Sequence, residues 1–237
     1  MTFEARNIIV TGASSGIGRE VAKIYARHLG CRVFAIARRG DLLRSLVEEC
    51  APGQVIPVGL DIVSGDFSDL INRLNDQSVK QVDVLVNCAG FLVNKPFETI
   101  SKHDWETVYG SNVIGPALLF QAMVPYLGQG AVSHVVNIGS MGGIGGSVKF
   151  PGLAAYSSSK GALSILTEVL AEEFKGREVV FNCLALGSVD TEMLAKAFPG
   201  FKASTSAVEM ATYICEFGLN GWRFFNGKVI PVSNSTP

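Results

Sequence analysis

Charge is scarce in this chain of 237 residues: Asp, Glu, Lys and Arg make up 17% of it, against 48% for hydrophobic residues. That balance excludes a disordered or tail-like protein, since so apolar a chain must bury most of itself. An excess of either sign is missing as well. Twenty Lys and Arg against 21 Asp and Glu leave a formal net charge of −1, which gives no electrostatic reason to expect nucleic acid or an anionic membrane surface as partner. Histidine is rare: His28, His103 and His134 are scattered and lack ligand spacing, so no metal is expected. The five cysteines, Cys31, Cys50, Cys88, Cys183 and Cys215, form an odd set without Cys-x-x-Cys. They read as buried small hydrophobes in a reducing compartment. The opening segment from Met1 to Asn7 carries charge and runs directly into a strand-like stretch, unlike a secretory or transit leader. Long apolar runs are also lacking. The uncharged stretch Thr107–Val148 comes nearest, but its most apolar part, Val113–Leu127, is interrupted by Gly115, Pro116, Gln121 and Pro125. It falls short of the roughly 20 residues that span a bilayer. A cytoplasmic protein acting on a small molecule is the expectation, with no membrane and no nucleic acid as partner.

What is present is an alternation of short β-branched runs with helix-period segments, the pattern of βαβ units around a parallel sheet. The strands are expected at Asn7–Thr11, Arg32–Ala37, Gln54–Gly59, Val82–Asn87, Ala131–Gly139, Val179–Ala185 and Lys228–Val232. Helices are expected at Gly16–Leu29 closed by Gly30, Leu42–Cys50 capped by Asp41, Asp66–Asn75, a long one across Ser101–Leu127, Ala155–Lys175 closed by Gly176, and Ala207–Phe217 closed by Gly218. No linker, low-complexity block or short-period repeat divides the chain. The expectation is an α/β fold: a single doubly wound Rossmann-type domain over 1–237, with about seven parallel strands and helices on both faces.

The first strand ends in Thr11-Gly12-Ala13-Ser14-Ser15-Gly16-Ile17-Gly18 and passes straight into a helix. Small residues stand where backbone must approach a ligand, and the N–H groups of the helix start attract an anion, so a pyrophosphate would fit. A glycine-rich turn without a ligand is the plainer alternative, because glycine triplets alone are weak motifs. Here the spacing is Gly-x-x-x-Gly-x-Gly.

At this point the chain resembles the short-chain dehydrogenase/reductase family, in particular its NADP(H)-preferring members. Thr-Gly-Ala-Ser-Ser-Gly-Ile-Gly matches the family's cofactor loop, and further motifs follow in order over essentially the whole length. Asn87-Cys88-Ala89-Gly90 resembles the Asn-Asn-Ala-Gly motif, Asn112 falls in the long fourth helix, Ser140 follows the fifth strand, and Tyr156-Ser157-Ser158-Ser159-Lys160 opens the next helix. The resemblance implies a cofactor half over about 1–130 and a catalytic half over about 131–237. It implies that Gly12, Ser14, Ser15, Gly16, Ile17 and Gly18 hold the cofactor, with Asn87, Ala89 and Gly90 lining it and Cys88 replacing the second Asn. Asp61-Ile62 resembles the pair that flanks the adenine, with a plain helix cap as the rival for Asp61. Gly187, Val189 and Thr191 match the nicotinamide loop, while Leu186 replaces its usual proline.

Cofactor choice is read from the end of the second strand. An acid there would bind the ribose hydroxyls of NAD(H); the segment is Ile36-Ala37-Arg38-Arg39 instead. Arg38 can form a charge-assisted fork with a 2′-phosphate and Arg39 adds a second cation, so NADP(H) is expected over NAD(H). Tyr156 and Lys160, four apart, share a helix face. An ammonium beside the phenol favours the phenolate. By resemblance Tyr156 is the acid/base, Lys160 its electrostatic partner and a donor to the nicotinamide ribose, Ser140 a donor to the substrate oxygen and Asn112 the anchor of a water relay.

The segment from Met141 to Gly152 is longer than usual for the family and rich in glycine, whereas the lid segment Glu192–Lys202 is short, with Met193, Leu194, Phe198 and Phe201 as an apolar wall. The expected function is NADPH-dependent reduction of a ketone or aldehyde to an alcohol by a homodimer or homotetramer. An NAD-linked alcohol dehydrogenase and a non-catalytic NADP(H)-binding regulator are the alternatives. The Arg38-Arg39 pair argues against the first, and the intact Ser140, Tyr156, Lys160 set against the second.

Overall fold

The computed structural model describes residues 6–233. The opening residues 1–5 and the closing residues 234–237, to which the readings of both termini refer, lie outside the described residues. In chain order the elements are β1 Asn7–Thr11, α1 Gly16–Arg27, β2 Arg32–Ala37, α2 Gly40–Glu48, β3 Val55–Gly59, α3 Ser68–Asp76, β4 Val84–Asn87, α4 Lys102–Tyr109, α5 Gly115–Met123, β5 Ser133–Ser140, α6 Ala154–Glu173, β6 Val179–Leu186, β7 Val189–Asp190, α7 Glu192–Ala197, β8 Thr205–Ser206, α8 Ala207–Asn220 and β9 Lys228–Val232. Seven strands form one parallel sheet in the order β3-β2-β1-β4-β5-β6-β9, and β7 pairs with β8 separately. The order reverses direction between β1 and β4, the position where an open α/β sheet leaves a crevice at the carboxyl ends of its strands.

Alternate residues of each strand supply the two faces. Ile8, Val10, Val84, Val86, Val136 and Leu184 pack with Val21, Tyr25, Leu46 and Ile214 of the helices α1, α2 and α8. Ile9, Phe34, Leu85, Val135 and Phe181 pack with Leu70, Leu74, Leu119, Phe120 and Met123 of α3 and α5. Burial on both faces explains why the strands read as near-continuous apolar runs. No helix among the described residues is long and apolar enough to cross a membrane.

Several helix boundaries differ from the sequence expectation, three of them for a visible reason. The long helix expected across Ser101–Leu127 is divided by a wide turn, Gly110–Ile114, in which the Gly115 N–H reaches back to the Gly110 carbonyl. Pro116 lacks the N–H that a regular helix would use here. The two glycines let the segment after β3 close on the kink: a Cβ on Gly115 would lie 2.7 Å from Ile62 Cγ1, and one on Gly110 3.1 Å from Val63 Cγ1. Helix α2 begins at Gly40, so Asp41 sits inside its first turn and Arg39 occupies the cap position. Gly218 does not close the last helix. It lies within α8, because that helix passes so near α1 that a Cβ there would stand 2.2 Å from Tyr25 Oη. The start of α8 is set by a capping box between Ser206 and Glu209.

Candidate active site

The turn after β1 is welded to the turn after β4. Thr11 is fully buried, and its Oγ1 accepts from the backbone N–H groups of Cys88 at 3.0 Å and Ala89 at 2.9 Å. Gly12 follows with φ +72°, and a Cβ on it would lie 2.9 Å from Ala89 N and Cα. The two backbones meet because neither carries bulk there. Gly16 is also left-handed, at φ +54°, and a Cβ on Gly18 would stand 2.5 Å from the Gly12 carbonyl oxygen. The extended Ser15 precedes α1 and makes no side-chain cap, so the first turn, with Ile17 in it, keeps N–H groups for an anion. A cradle that no Cβ can enter and an uncapped helix start together fit the pyrophosphate of a dinucleotide.

The two arginines after β2 part company. Arg39 turns onto the glycine loop: its Nη2 donates to Ser15 Oγ at 2.6 Å, and Nε and Nη2 each donate to Ser14 Oγ at 3.3 Å. Its Nη1 lies 3.8 Å from Glu192 Oε2. Arg38 is 68% exposed and its Nη1 is 3.9 Å from Asp61 Oδ2. Arg39 thus meets the glycine loop, while Arg38 stands beside Asp61. Asp61 Oδ1 also accepts from the Val63 N–H at 3.1 Å, an Asx turn, and Ile62 beside it is buried.

Across the crevice, α6 presents Tyr156 and Lys160. Lys160 is buried, its Nζ donates to the Ile138 carbonyl of β5 at 2.7 Å, and it stands 5.9 Å from the centre of the Tyr156 ring. Burial pushes the Lys160 ammonium below its usual pKa. Burial also pushes the Tyr156 phenol up, with the Ser140 side chain working against it. Ser140 ends β5, and its Oγ accepts from the Gly142 N–H at 3.2 Å, which leaves the hydroxyl proton for another acceptor. The Cys88 thiol is pushed up to about 12 by burial.

Asn112 sits in the wide turn between α4 and α5, fully buried. Its Oδ1 accepts from Phe91 N at 2.8 Å, and its Nδ2 donates to Phe91 O at 3.0 Å and to Ser159 Oγ at 2.9 Å. Ser159 in turn donates to the Tyr156 carbonyl at 2.7 Å. A Cβ on Gly90 would lie 3.3 Å from Asn112 Oδ1 and 3.6 Å from Lys160 Nζ, so these groups converge on one spot. Asn87 is turned away from it. Its Nδ2 donates to Asn137 Oδ1 at 2.8 Å, and Asn137 donates on to Thr167 Oγ1 at 2.9 Å, while Asn87 Oδ1 is buried without a partner.

At the end of β6 the replacement of proline by Leu186 has a visible result. Leu186 pairs with Ser140 on one side and Val232 on the other, so the strand continues through the position. Gly187 then passes close under Ser233, where a Cβ would lie 2.5 Å from Ser233 Oγ. Val189 is buried. Thr191 Oγ1 caps α7 by accepting from Leu194 N at 3.3 Å, and its methyl would lie 3.5 Å from a Cβ on Gly16. The lid segment thus contains a helix, Glu192–Ala197, whose end is tied by a bond of 2.8 Å from Asn94 Nδ2 to the Ala197 carbonyl. The long loop is pinned as well. Gly143 backs onto α6, where a Cβ would be 2.7 Å from the Lys160 carbonyl carbon, and the Gly152 carbonyl accepts from Lys95 N at 3.0 Å. A cavity of about 220 Å³ between the end of β6 and the start of α8 is lined by Gly187, Ser188, Thr205, Glu209 and Tyr213 and by no residue of α6.

Sequence reasoning missed Thr11, Ser159, Asn94 and the Ile138 carbonyl. Only Thr11, at the head of the glycine motif, carried any signal; a backbone carbonyl carries none. Among the described residues no three His, Cys, Asp or Glu side chains gather as a metal group would require.

Comparison with known proteins gives a consistent answer. Residues 6–201 match the family described as short chain dehydrogenase. The chain is 32% identical over 198 residues to the 3-oxoacyl-(acyl-carrier-protein) reductase of Thermotoga maritima, covering 83% of this chain and 79% of that protein. It is 35% identical over 184 residues to carbonyl reductase (NADPH) 2 of Sus scrofa, covering 77% of this chain and 71% of the relative. A short chain dehydrogenase of Pseudocercospora fijiensis is 36% identical over 198 residues, or 81% of this chain, which spans 62% of that longer protein. Among solved structures, a short chain dehydrogenase of Escherichia coli CFT073 complexed with NADPH superposes with a TM-score of 0.84 at 28% identity over 95% of both chains. The 3-ketoacyl-(acyl-carrier-protein) reductase of Brucella melitensis complexed with NADH, at 22% identity and TM-score 0.86 over 97% of both chains, shares the fold.

Proposed function

The chain belongs to the short-chain dehydrogenase/reductase family of oxidoreductases, and from that premise we propose that it reduces a ketone or aldehyde to an alcohol with NADPH. The observation that carries this reading is the convergence of Ser140, Tyr156, Lys160 and the Asn112 kink at the carboxyl ends of β4 and β5, opposite a glycine cradle edged by Arg39. In this reading residues 1–130 and 131–237 work as the cofactor half and catalytic half of one domain.

When bound, the nicotinamide supplies the hydride. The chain's own residues do the rest. Ser140, one of its lone pairs taken by the Gly142 N–H, directs its proton to the substrate oxygen. Tyr156, whose pKa is raised by burial, stays protonated at neutral pH and holds the proton that the developing alkoxide takes at Oη. Lys160 is fixed by the Ile138 carbonyl, leaving two N–H donors for the ribose and for charge that develops on the phenol. Asn112 acts by position: its side-chain bonds to Phe91 and Ser159 are all spent on the scaffold, so its contribution to a water relay falls to the backbone of its kinked turn. Arg39 would hold the 2′-phosphate, and Gly187, Val189 and Thr191 would border the nicotinamide. Thr191 keeps its hydroxyl proton for the carboxamide because it caps α7 as an acceptor.

An NAD-linked alcohol dehydrogenase is the second reading, and one observation favours it. Each arginine has a carboxylate beside it, Asp61 for Arg38 and Glu192 for Arg39. Exposed Phe91, Val148, Phe150, Met193 and Phe201 on the segments after β4, β5 and β7 favour an apolar carbonyl compound. Exposed Ile114, Ile165 and Val169 on the α5–α6 side suit a homodimer or homotetramer, acting in the cytoplasm on a small molecule, with a mass above that of one chain in light scattering. The functional test is NADPH and NADH consumption against a panel of ketones, aldehydes, quinones and acyl thioester ketones. Consumption of NADPH with at least one of them is expected; consumption of NADH alone would favour the second reading.

A further inference from the structure

We propose that Glu192, the first residue of the lid helix α7, sets how far the chain favours NADPH over NADH by competing with the adenosine 2′-phosphate for Arg39. The proposal rests on the reading of Arg39 as the phosphate-binding cation. Two edges of that guanidinium are occupied by the loop hydroxyls of Ser14 and Ser15. Nη1, the nitrogen not used for the serines, faces Glu192 Oε2 at 3.8 Å. The carboxylate is held in place from behind, since its Oε1 accepts from Lys196 Nζ at 2.6 Å, one turn along α7. Lys196 first, and Arg39 after it, hold the Glu192 carboxyl below the usual carboxylate range, so it is charged at neutral pH.

A 2′-phosphate brings close to two negative charges and needs N–H donors from the same guanidinium, whereas the 2′-hydroxyl of NADH brings no charge. A carboxylate at this distance therefore opposes the phosphate and leaves the hydroxyl nearly untouched. Glu192 is also the link between the two ligand regions. Thr191, just before it, caps α7, while Asn94 ties the other end of the helix to the loop after β4.

The test is calorimetric titration of the full chain, unmutated and as Glu192→Gln, Arg39→Ala and the double variant, with adenosine 2′,5′-bisphosphate and adenosine 5′-monophosphate. Glu192→Gln is expected to bind the bisphosphate roughly three- to tenfold tighter, with the monophosphate changed by less than about twofold, as befits one charge removed at a solvent-exposed pair. The gain should vanish in the Arg39→Ala background, because the two side chains act through one contact. An unchanged or weaker bisphosphate affinity in Glu192→Gln, an equal gain for both ligands, or a gain that persists without Arg39 would each overturn the proposal. If Arg39→Ala weakens the bisphosphate while Glu192→Gln does nothing, only the role of Glu192 falls. If Arg39→Ala does nothing either, the assignment of the phosphate site to Arg39 falls with it.

Discussion

Around the glycine loop, from Thr11 to Gly18, the chain is shaped by side chains it does not have, whereas around Tyr156 and Lys160 it is shaped by polar groups that hold one another. In the first region the constraint is steric. Gly12 and Gly18 are required because backbone from β4 and from the loop itself occupies the places their Cβ atoms would take. In the second region the constraint is satisfaction of buried polar groups: Lys160 on the Ile138 carbonyl, Asn112 on Phe91 and Ser159, and Ser159 on the Tyr156 carbonyl. In the proposed reading the steric cradle serves binding and the bonded network serves chemistry, by fixing where a proton is held. The two regions should therefore fail in different ways when altered.

The largest effect is expected in the network. Tyr156→Phe removes only a hydroxyl, and turnover should fall by about 10²–10⁴. The raised phenol pKa adds a pH dependence: carbonyl reduction should hold through the neutral range and decline only as the phenol ionises in strongly alkaline solution. A rate–pH profile breaking near neutrality would assign the proton to another group. Next comes the cradle. Gly12→Ala combines a left-handed φ with contact against Ala89, and should cost about 2–4 kcal/mol in urea unfolding. Gly30→Ala is its control, because Gly30 has a similar φ of +63° but nothing within 4 Å of its Cβ position. It should lose only about 1 kcal/mol. Equal losses at the two sites would remove the steric half of the contrast.

A third expectation concerns β5 away from the site. His134 is buried, its Nδ1 donates to the Gly218 carbonyl at 3.0 Å, and its Nε2 accepts from Asn182 Nδ2 at 3.0 Å, so it is neutral. Burial lowers its pKa from 6.5 to about 4. Between those values the unfolded chain takes up a proton that the folded chain refuses. Stability should accordingly fall as pH drops from about 6.5 to about 4, by up to about 3 kcal/mol, and His134→Gln should flatten this part of the curve. The smallest effect belongs to cofactor choice. Arg39→Ala should weaken NADPH by about tenfold, or about 1.4 kcal/mol, and leave NADH nearly unchanged, with Arg38→Ala doing less. A larger loss at Arg38 would restore the ranking expected from sequence.

The contrast also explains what could be read from the sequence. The strands Asn7–Thr11 and Arg32–Ala37 have the bounds expected of them, because runs buried on both faces leave a continuous apolar signature, and the edge strand Lys228–Val232, only partly buried, has its expected bounds as well. The glycine motif was legible for a related reason, since a steric demand on backbone leaves a residue type behind. Gly218 looked like a helix stop because its true cause, the approach of Tyr25 from α1, is remote in sequence. The kink at Gly110–Ile114 likewise depends on Ile62 and Val63 closing against it. The acceptor of Lys160 is a backbone carbonyl and leaves no side-chain trace. Which of Arg38 and Arg39 meets the glycine loop depends on the direction each side chain leaves the turn after β2, which composition does not encode.

The central claim is that binding and proton transfer are carried by different regions of one crevice. It is tested most directly by the NADPH dissociation constant of Tyr156→Phe, measured by fluorescence titration. The account predicts a value within about twofold of the unmutated protein, because the phenol acts on the substrate oxygen while the cradle, Arg39 and Lys160 hold the cofactor. A tenfold or greater weakening would contradict it.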